Sequence, residues 1–326
     1  MHLEDLSMKH DFGEHNDFEI DPRIYEHYLS LLPPSGPNAG SSNPNTRSQI
    51  CGRGLPLHES PPTQSYITRF WSLSEPLQDL PDYVDLQNYY TATLLESRTT
   101  IEGGTTGLRT WFASYVLSQY LIMHPESIIS KCVLELGSGV GFLGIIVATL
   151  QQLSKTNFRS LSNVRLPDLS PGSLWLSDLN DEVLNRCRDN LYLPCNISSS
   201  HPDLNYLKLD WSGSIDFESA SEFAALLHQK IAPDIILGAD VAFDPSVIPA
   251  LVGTLKIALQ TQPKVALIAL TVRNKATFEK FLNHAREASL LLEDIELGFH
   301  ATSFLDTVED MESCRNVKIF RITYAA

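Results

Sequence analysis

The chain has 326 residues, with 24 Lys and Arg against 39 Asp and Glu, a formal charge of 24 − 39 = −15. Hydrophobic residues at 43% and charged residues at 19% suit a globular protein with a sizeable buried core. The acid excess argues against a nucleic acid or an anionic membrane surface as partner, because both require concentrated Lys and Arg. Five cysteines, odd in number and without a CxxC pair, argue against a disulfide framework or a zinc ribbon, and ten histidines show no close metal-ligand spacing. The first residues are acidic, and the longest apolar runs, such as Phe142 to Leu150, fall short of the ~18 residues of a membrane span. The expectation is a soluble, cytoplasmic monomer that binds neither metal nor membrane.

Residues 1–32 read as an acidic segment in which Ile24, Tyr28 and Leu31 keep helical spacing. Residues 33–63 hold seven prolines and four glycines, the composition of a linker or loop. The amphipathic run Tyr66 to Trp71 opens what reads as a small helical appendage over 64–106. From 107 to 326, helices alternate with short apolar strands. Helices are expected over Trp111 to Leu121, Phe142 to Leu153, Asp181 to Leu191, Pro245 to Leu259 and Thr277 to Ala288. Strands are expected at Cys132 to Leu136, Leu174 to Asp178, Tyr206 to Asp210, Asp234 to Ala239, Val265 to Val272 and Val317 to Tyr324. Buried strands alternating with helices predict a doubly wound α/β sheet covered on both faces. The polar stretch Gln151 to Ser173 reads as an insertion.

Ligands of such sheets bind outside the carboxyl ends of the strands, so the strand ends carry the functional signal. The first strand runs into Gly137, Ser138, Gly139, Val140 and Gly141, where glycines permit positive φ and a close ligand approach beside a helix N-terminus. Two ligands compete for this loop. Gly139, Gly141 and Gly144 form a GxGxxG that would suit a dinucleotide, whereas Glu135, Gly137, Gly139 and Gly141 form the nucleoside loop of methyltransferases. Asp178 ends the second strand as an acceptor for two ribose hydroxyls, or simply as a helix N-cap. Asp210 and Trp211 end the third with an acceptor and a flat aromatic face for adenine. The fourth ends in Ala239, Asp240 and Phe243, an acidic tip beside the same crevice, although Asp240 would equally serve to cap the helix at Pro245.

Together the segments Thr106 to Trp111 (TGLRTW), Leu134 to Gly141 (LELGSGVG), Leu209 to Trp211 (LDW) and Gly238 to Pro245 (GADVAFDP) resemble the seven-strand protein-lysine methyltransferases. The resemblance is closest to the group that modifies elongation factor 2 and covers about residues 60–325. It implies a seven-strand Rossmann-like methyltransferase domain over 107–326 and S-adenosyl-L-methionine as cofactor. The contacts it implies fall at Trp111, Gly137, Ser138, Gly139, Asp178, Trp211 and Ala239, with a protein substrate, elongation factor 2. Asp240 would orient the substrate ammonium and Phe243 would wall the channel. The family's tip commonly reads Asp-x-x-Tyr, so Phe243 is a departure that removes a hydroxyl. Two other readings stand beside this one. A nicotinamide-dependent oxidoreductase is motivated by the GxGxxG, and a non-catalytic cofactor-bound scaffold for a translation protein by Phe243 and the acidic tail.

Overall fold

The computed structural model describes residues 63–73, 85–161, 172–261, 264–296, 302–305 and 316–325. The acidic segment with its expected helix, nearly all of the proline-rich stretch, and part of the expected insertion lie outside these residues.

Two strands open the described chain, β1 (Gln64–Trp71) and β2 (Tyr90–Ser97). They pair antiparallel, from Gln64 opposite Ser97 to Trp71 opposite Tyr90. The helical appendage expected over 64–106 is therefore a β-hairpin. The sequences QSYITRFW and YTATLLES are rich in aromatic and β-branched residues, which fit a pleated half-buried surface better than a helix. Ala92, Leu94 and Glu96 alternate inward along β2 and are all buried. Trp71 is fully buried and bridges to Phe304.

Among the described residues, the second edge of β2 finds no strand. Two buried asparagines satisfy it instead. Asn196 accepts from Thr93 N at 2.8 Å and donates to Thr93 O and Asn190 O, each at 2.8 Å. Asn190 accepts from Leu95 N at 2.8 Å and donates to Val140 O at 2.9 Å. Each side-chain amide thus pairs backbone groups as a neighbouring strand would.

After the hairpin come α1 (Phe112–Met123), β3 (Cys132–Leu136), α2 (Phe142–Leu161), β4 (Ser173–Asp178), α3 (Asp181–Leu191) and β5 (Leu204–Lys208). Then follow α4 (Ala220–Ala225), extended by a π-helical turn to Ile231, β6 (Ile235–Ala239), α5 (Ile248–Leu259) and β7 (Val265–Thr271). The chain closes with α6 (Lys275–Glu287), β8 (Leu290–Ile295) and β9 (Val317–Tyr324). The expected insertion after the first helix begins as more helix, since α2 continues to Leu161. Seven strands form one sheet in the order β5-β4-β3-β6-β7-β9-β8. All pairs are parallel except those of β9, which lies antiparallel between β7 and β8.

Period-two alternation splits the strands between two cores. Val133, Ile235, Leu237 and Leu267 point into a core shared with α1, α2 and α3. Leu134, Ile236, Ala266 and Ile268 point into the other, shared with α4, α5 and α6. The winding reverses between β3 and β6, and a crevice opens above their carboxyl ends. Strand β8 (LLLEDI) escaped the sequence reading because, as an edge strand, it carries Glu293 and Asp294 where an apolar run would betray a buried strand.

If the asparagines hold the hairpin, Asn196→Ala leaves the Thr93 N–H and the Thr93 carbonyl without these partners and takes one donor from Asn190 O. The expected loss is about 2–3 kcal/mol, the cost of orphaned buried polar groups. Urea unfolding measures it, and a loss under about 0.5 kcal/mol, the size of an ordinary surface substitution, would contradict this account.

Candidate active site

The loop after β3 is held in a shape that glycine permits and other residues resist. Gly137 and Gly139 have φ of +65° and +54°. A Cβ at Gly137 would lie 3.0 Å from Val241 Cγ1, and one at Gly139 would lie 3.2 Å from the carbonyl oxygen of Gly107. Hydrogen bonds to β4 lock this path. Ser138 N donates to Ser177 O at 2.8 Å, Ser177 N to Ser138 Oγ at 3.0 Å, and Ser177 Oγ to Glu135 O at 2.7 Å. Gly139 N donates to Asp178 Oδ2 at 3.2 Å. The other two glycines of the GxGxxG serve packing: a Cβ at Gly141 would meet Leu191 at 2.7 Å and one at Gly144 would meet Leu176 at 2.6 Å.

Asp178 does not cap α3. Asn180 does, accepting from Glu182 N at 2.8 Å and Val183 N at 3.3 Å. Asp178 Oδ1 instead accepts from Asn180 N at 3.1 Å, so each carboxylate oxygen uses one lone pair on the backbone and keeps another. Burial raises its pKa against the opposing pull of those backbone donors. Across the crevice, Asp210 accepts from Ser212 N at 2.9 Å and starts a 3-10 turn over Trp211–Ser214. That turn sets the Trp211 ring beside Gly137, 3.8 Å from where a Cβ would stand.

Asp240 sits in the left-handed region at φ +55°, which Asp tolerates better than most residues. Its Oδ1 accepts from Thr271 N at 2.7 Å, and its Oδ2 accepts from Thr271 Oγ1 at 2.9 Å and from Arg273 Nη2 at 2.8 Å. It caps no helix; Asp244 turns the chain toward α5 by accepting from Ser246 N at 2.8 Å. Asp240, expected to orient the substrate ammonium, is buried at the edge of the crevice, and both of its oxygens are engaged within the fold, Oδ1 by one donor and Oδ2 by two. Arg273 also lies over the Trp111 ring, 4.7 Å from its centroid, a cation–π contact. Trp111 Nε1 donates to Thr106 O at 3.1 Å, and the same loop is tied to the hairpin where Glu96 accepts from Thr110 N at 3.0 Å and Thr110 Oγ1 at 2.9 Å.

These groups converge on a crevice of about 870 Å³, a volume typical of small-molecule sites. All nine residues singled out in the sequence border it: Trp111, Gly137, Ser138, Gly139, Asp178, Trp211, Ala239, Asp240 and Phe243. Arg109, Lys208 and Arg273 border it as well and were missed. Arg273 had a readable signal. It stands two residues past the end of β7, where the chain leaves another strand end beside the crevice. Among the described residues no cluster of metal-ligating side chains occurs, and no helix is long and apolar enough to cross a membrane.

The donor set fits a nucleoside bearing a short polar tail: two spare carboxylate lone pairs for hydroxyls, an aromatic wall, and glycines whose absent side chains leave room. A seven-strand sheet in this order with such strand ends defines a methyltransferase of the Rossmann-like class. A sequence profile described as lysine methyltransferase matches residues 94–288. The protein-lysine N-methyltransferase EFM3 of Chaetomium thermophilum is 32% identical over 248 residues, 72% of this chain and 61% of that protein. Human protein-lysine N-methyltransferase EEF2KMT is 31% identical over 212 residues, 61% of this chain and 55% of that one. The human putative protein N-methyltransferase FAM86B1 is 29% identical over 249 residues, 72% of this chain and 66% of its own. The chain thus spans less than two thirds of the length of these relatives. It belongs to the lysine methyltransferase family, whose methyl donor is S-adenosyl-L-methionine. The dinucleotide reading of the glycine loop falls with that assignment.

Beneath the loop, Glu135 is buried and its Oε2 has no hydrogen-bond partner among the described residues. Burial pushes its pKa up to about 8, with a side-chain hydrogen bond to Ser138 acting in the opposite direction and the Asp178 charge adding to the rise. The folded protein therefore holds a proton that the unfolded chain releases near the ordinary value of 4.5. Stability should fall as pH rises from about 4.5 to 8 and level off above it. Glu135→Gln removes this contribution. Urea midpoints at pH 6 and pH 8 should differ less in Glu135→Gln than in the wild type; equal differences would show that Glu135 is ionised throughout that range.

Proposed function

We propose that the chain transfers a methyl group from S-adenosyl-L-methionine to a lysine of translation elongation factor 2. The observation that carries the reading is the convergence of four strand ends and the Trp111 loop on one crevice. Its substrate part draws support from relatives named EFM3 and EEF2KMT, and from the TGLRTW segment, which resembles enzymes acting on that factor. The net charge of −15 suits a basic protein surface better than a nucleic acid.

When bound, the cofactor supplies a methyl group activated by a sulfonium. The protein's task is to hold it and to deliver a neutral amine. Asp178 is assigned to the ribose hydroxyls, Trp211 to the adenine face, and Gly137, Ser138 and Gly139 to the backbone cradle. Trp111 and Ala239 wall the methionine end. A lysine of ordinary pKa ~10.4 is neutral in only about one molecule in 2500 at pH 7. Phe243 and Trp111, which border the crevice, strip water from the ammonium and so favour the neutral form. Asp240 is a positioning residue: it fixes Arg273, which in turn steadies the Trp111 ring. Alignment of amine and methyl supplies the rest of the acceleration without a strong base.

Two outcomes follow. Asp178→Ala and Trp211→Ala should each weaken binding of S-adenosylhomocysteine. For Asp178, loss of a charge-assisted hydrogen bond costs about 1.5–3 kcal/mol, roughly ten- to a hundredfold. Calorimetric titration measures both, and unchanged affinity in two folded variants would misplace the crevice. Incubation of the chain with labelled donor and intact elongation factor 2 should put label on one lysine, as mapped by mass spectrometry. Label scattered over many lysines, or none on the factor while another protein is modified stoichiometrically, would overturn the substrate assignment.

A further inference from the structure

Beside the crevice stands an apolar lip whose outermost residue, Phe217, has no part in the methyl-transfer roles assigned above. Phe217 is 97% exposed, and Ile215 and Phe243, which border the crevice, are 58% and 59% exposed. A phenylalanine so far out of the core is ordinarily found on a loose tip, but this one is presented from a fixed turn. Asp216 N donates to Ser212 O at 3.1 Å, and Ala220 N donates to Asp216 O at 2.9 Å. The Asp216 carboxylate accepts from Ser219 Oγ at 2.7 Å and from Ser219 N at 3.2 Å. Ser214 Oγ donates to Ala250 O at 2.8 Å, which ties the turn to α5 and so to the segment carrying Phe243.

Charge says what the lip fits. Phe217 stands between two exposed acids, Asp216 and Glu218, and Phe243 is followed by Asp244. The hydrogen bonds from Ser219 hold Asp216 below the usual carboxylate range, so its charge is fixed. Lys280 donates to Pro245 O at 2.8 Å and Arg273 is paired with Asp240, so two of the bases near Phe243 are already engaged within the fold. An apolar centre within an acidic border matches a surface on which an apolar side chain stands among Lys and Arg. A methyl-acceptor lysine and its basic neighbours make such a surface.

We propose that the Ile215–Phe217–Phe243 lip is the docking surface for the protein substrate, taking an apolar side chain flanked by basic residues next to the target lysine. The proposal rests on the protein-lysine methyltransferase reading above. Phe217 does not line the crevice, so cutting it back leaves cofactor binding and the chemical step untouched.

The test is steady-state methylation of purified, intact elongation factor 2 by the full chain, by Phe217→Ser and by Glu218→Lys, with S-adenosylhomocysteine binding measured for each. Phe217→Ser should raise KM for the factor about tenfold or more, as expected of an aromatic anchor, with kcat and cofactor affinity near wild type. Glu218→Lys should raise KM more at low salt than at high salt. A KM for Phe217→Ser within about twofold of wild type overturns the docking surface and leaves the function standing. A wild-type chain that binds the cofactor yet leaves the factor unmodified overturns the substrate and this docking role together. Light scattering that shows a wild-type dimer abolished by Phe217→Ser would assign the lip to a second copy of this chain and overturn the proposal.

Discussion

The structure turns on how the left-handed loop after β3 is clamped to β4. Gly137 and Gly139 place backbone at positive φ, where a Cβ would also crowd Val241 or the Gly107 carbonyl, and such a path needs outside support. Ser138, Ser177 and Asp178 supply it through interstrand hydrogen bonds. Asp178 therefore does two things with one carboxylate: it braces Gly139 and turns its remaining lone pairs to the crevice. In its proposed role as ribose acceptor Asp178 is therefore preorganised, because it cannot leave without releasing the loop.

The hairpin extends the same logic to the opposite wall. β1 and β2 anchor one side of the TGLRTW loop. Glu96 holds Thr110, and Ser97 N donates to Leu108 O at 2.7 Å. Asn190 and Asn196 hold the hairpin against α3 from the far side. The loop in turn positions Trp111 to receive Arg273, whose other partner is Asp240 at the end of β6. One guanidinium thus joins the hairpin side of the crevice to the sheet side. Half-exposed at its outer face, that contact is weaker than the β3–β4 clamp, and motion of the Trp111 loop is expected to begin there.

Much of the sheet was legible because buried parallel strands are short continuous apolar runs. Cys132–Leu136, Val317–Tyr324 and the amphipathic helix Asp181–Leu191 were read with their observed bounds. The strand ends then gave the crevice, since topology brings successive carboxyl ends together whatever the loops do. Three features were not legible. The hairpin is not distinguishable from helix in the sequence, because Tyr66–Trp71 is too short for its period to decide between the two. Strand β8 was hidden by its charged outer face. The engagement of Asp240 by Thr271 and Arg273 depends on a contact between β6 and β7 that spans more than thirty positions, and local reading cannot see it.

The claim that joins these observations is that the β3–β4 clamp presents Asp178 and Trp211 to one nucleoside. A crystal structure of the chain with S-adenosylhomocysteine tests it directly. The account predicts ribose hydroxyls on the free lone pairs of Asp178, adenine against the Trp211 ring, and the thioether facing Phe243. A nucleoside bound with its ribose away from Asp178, or one lodged outside the crevice above β3 and β6, would contradict it.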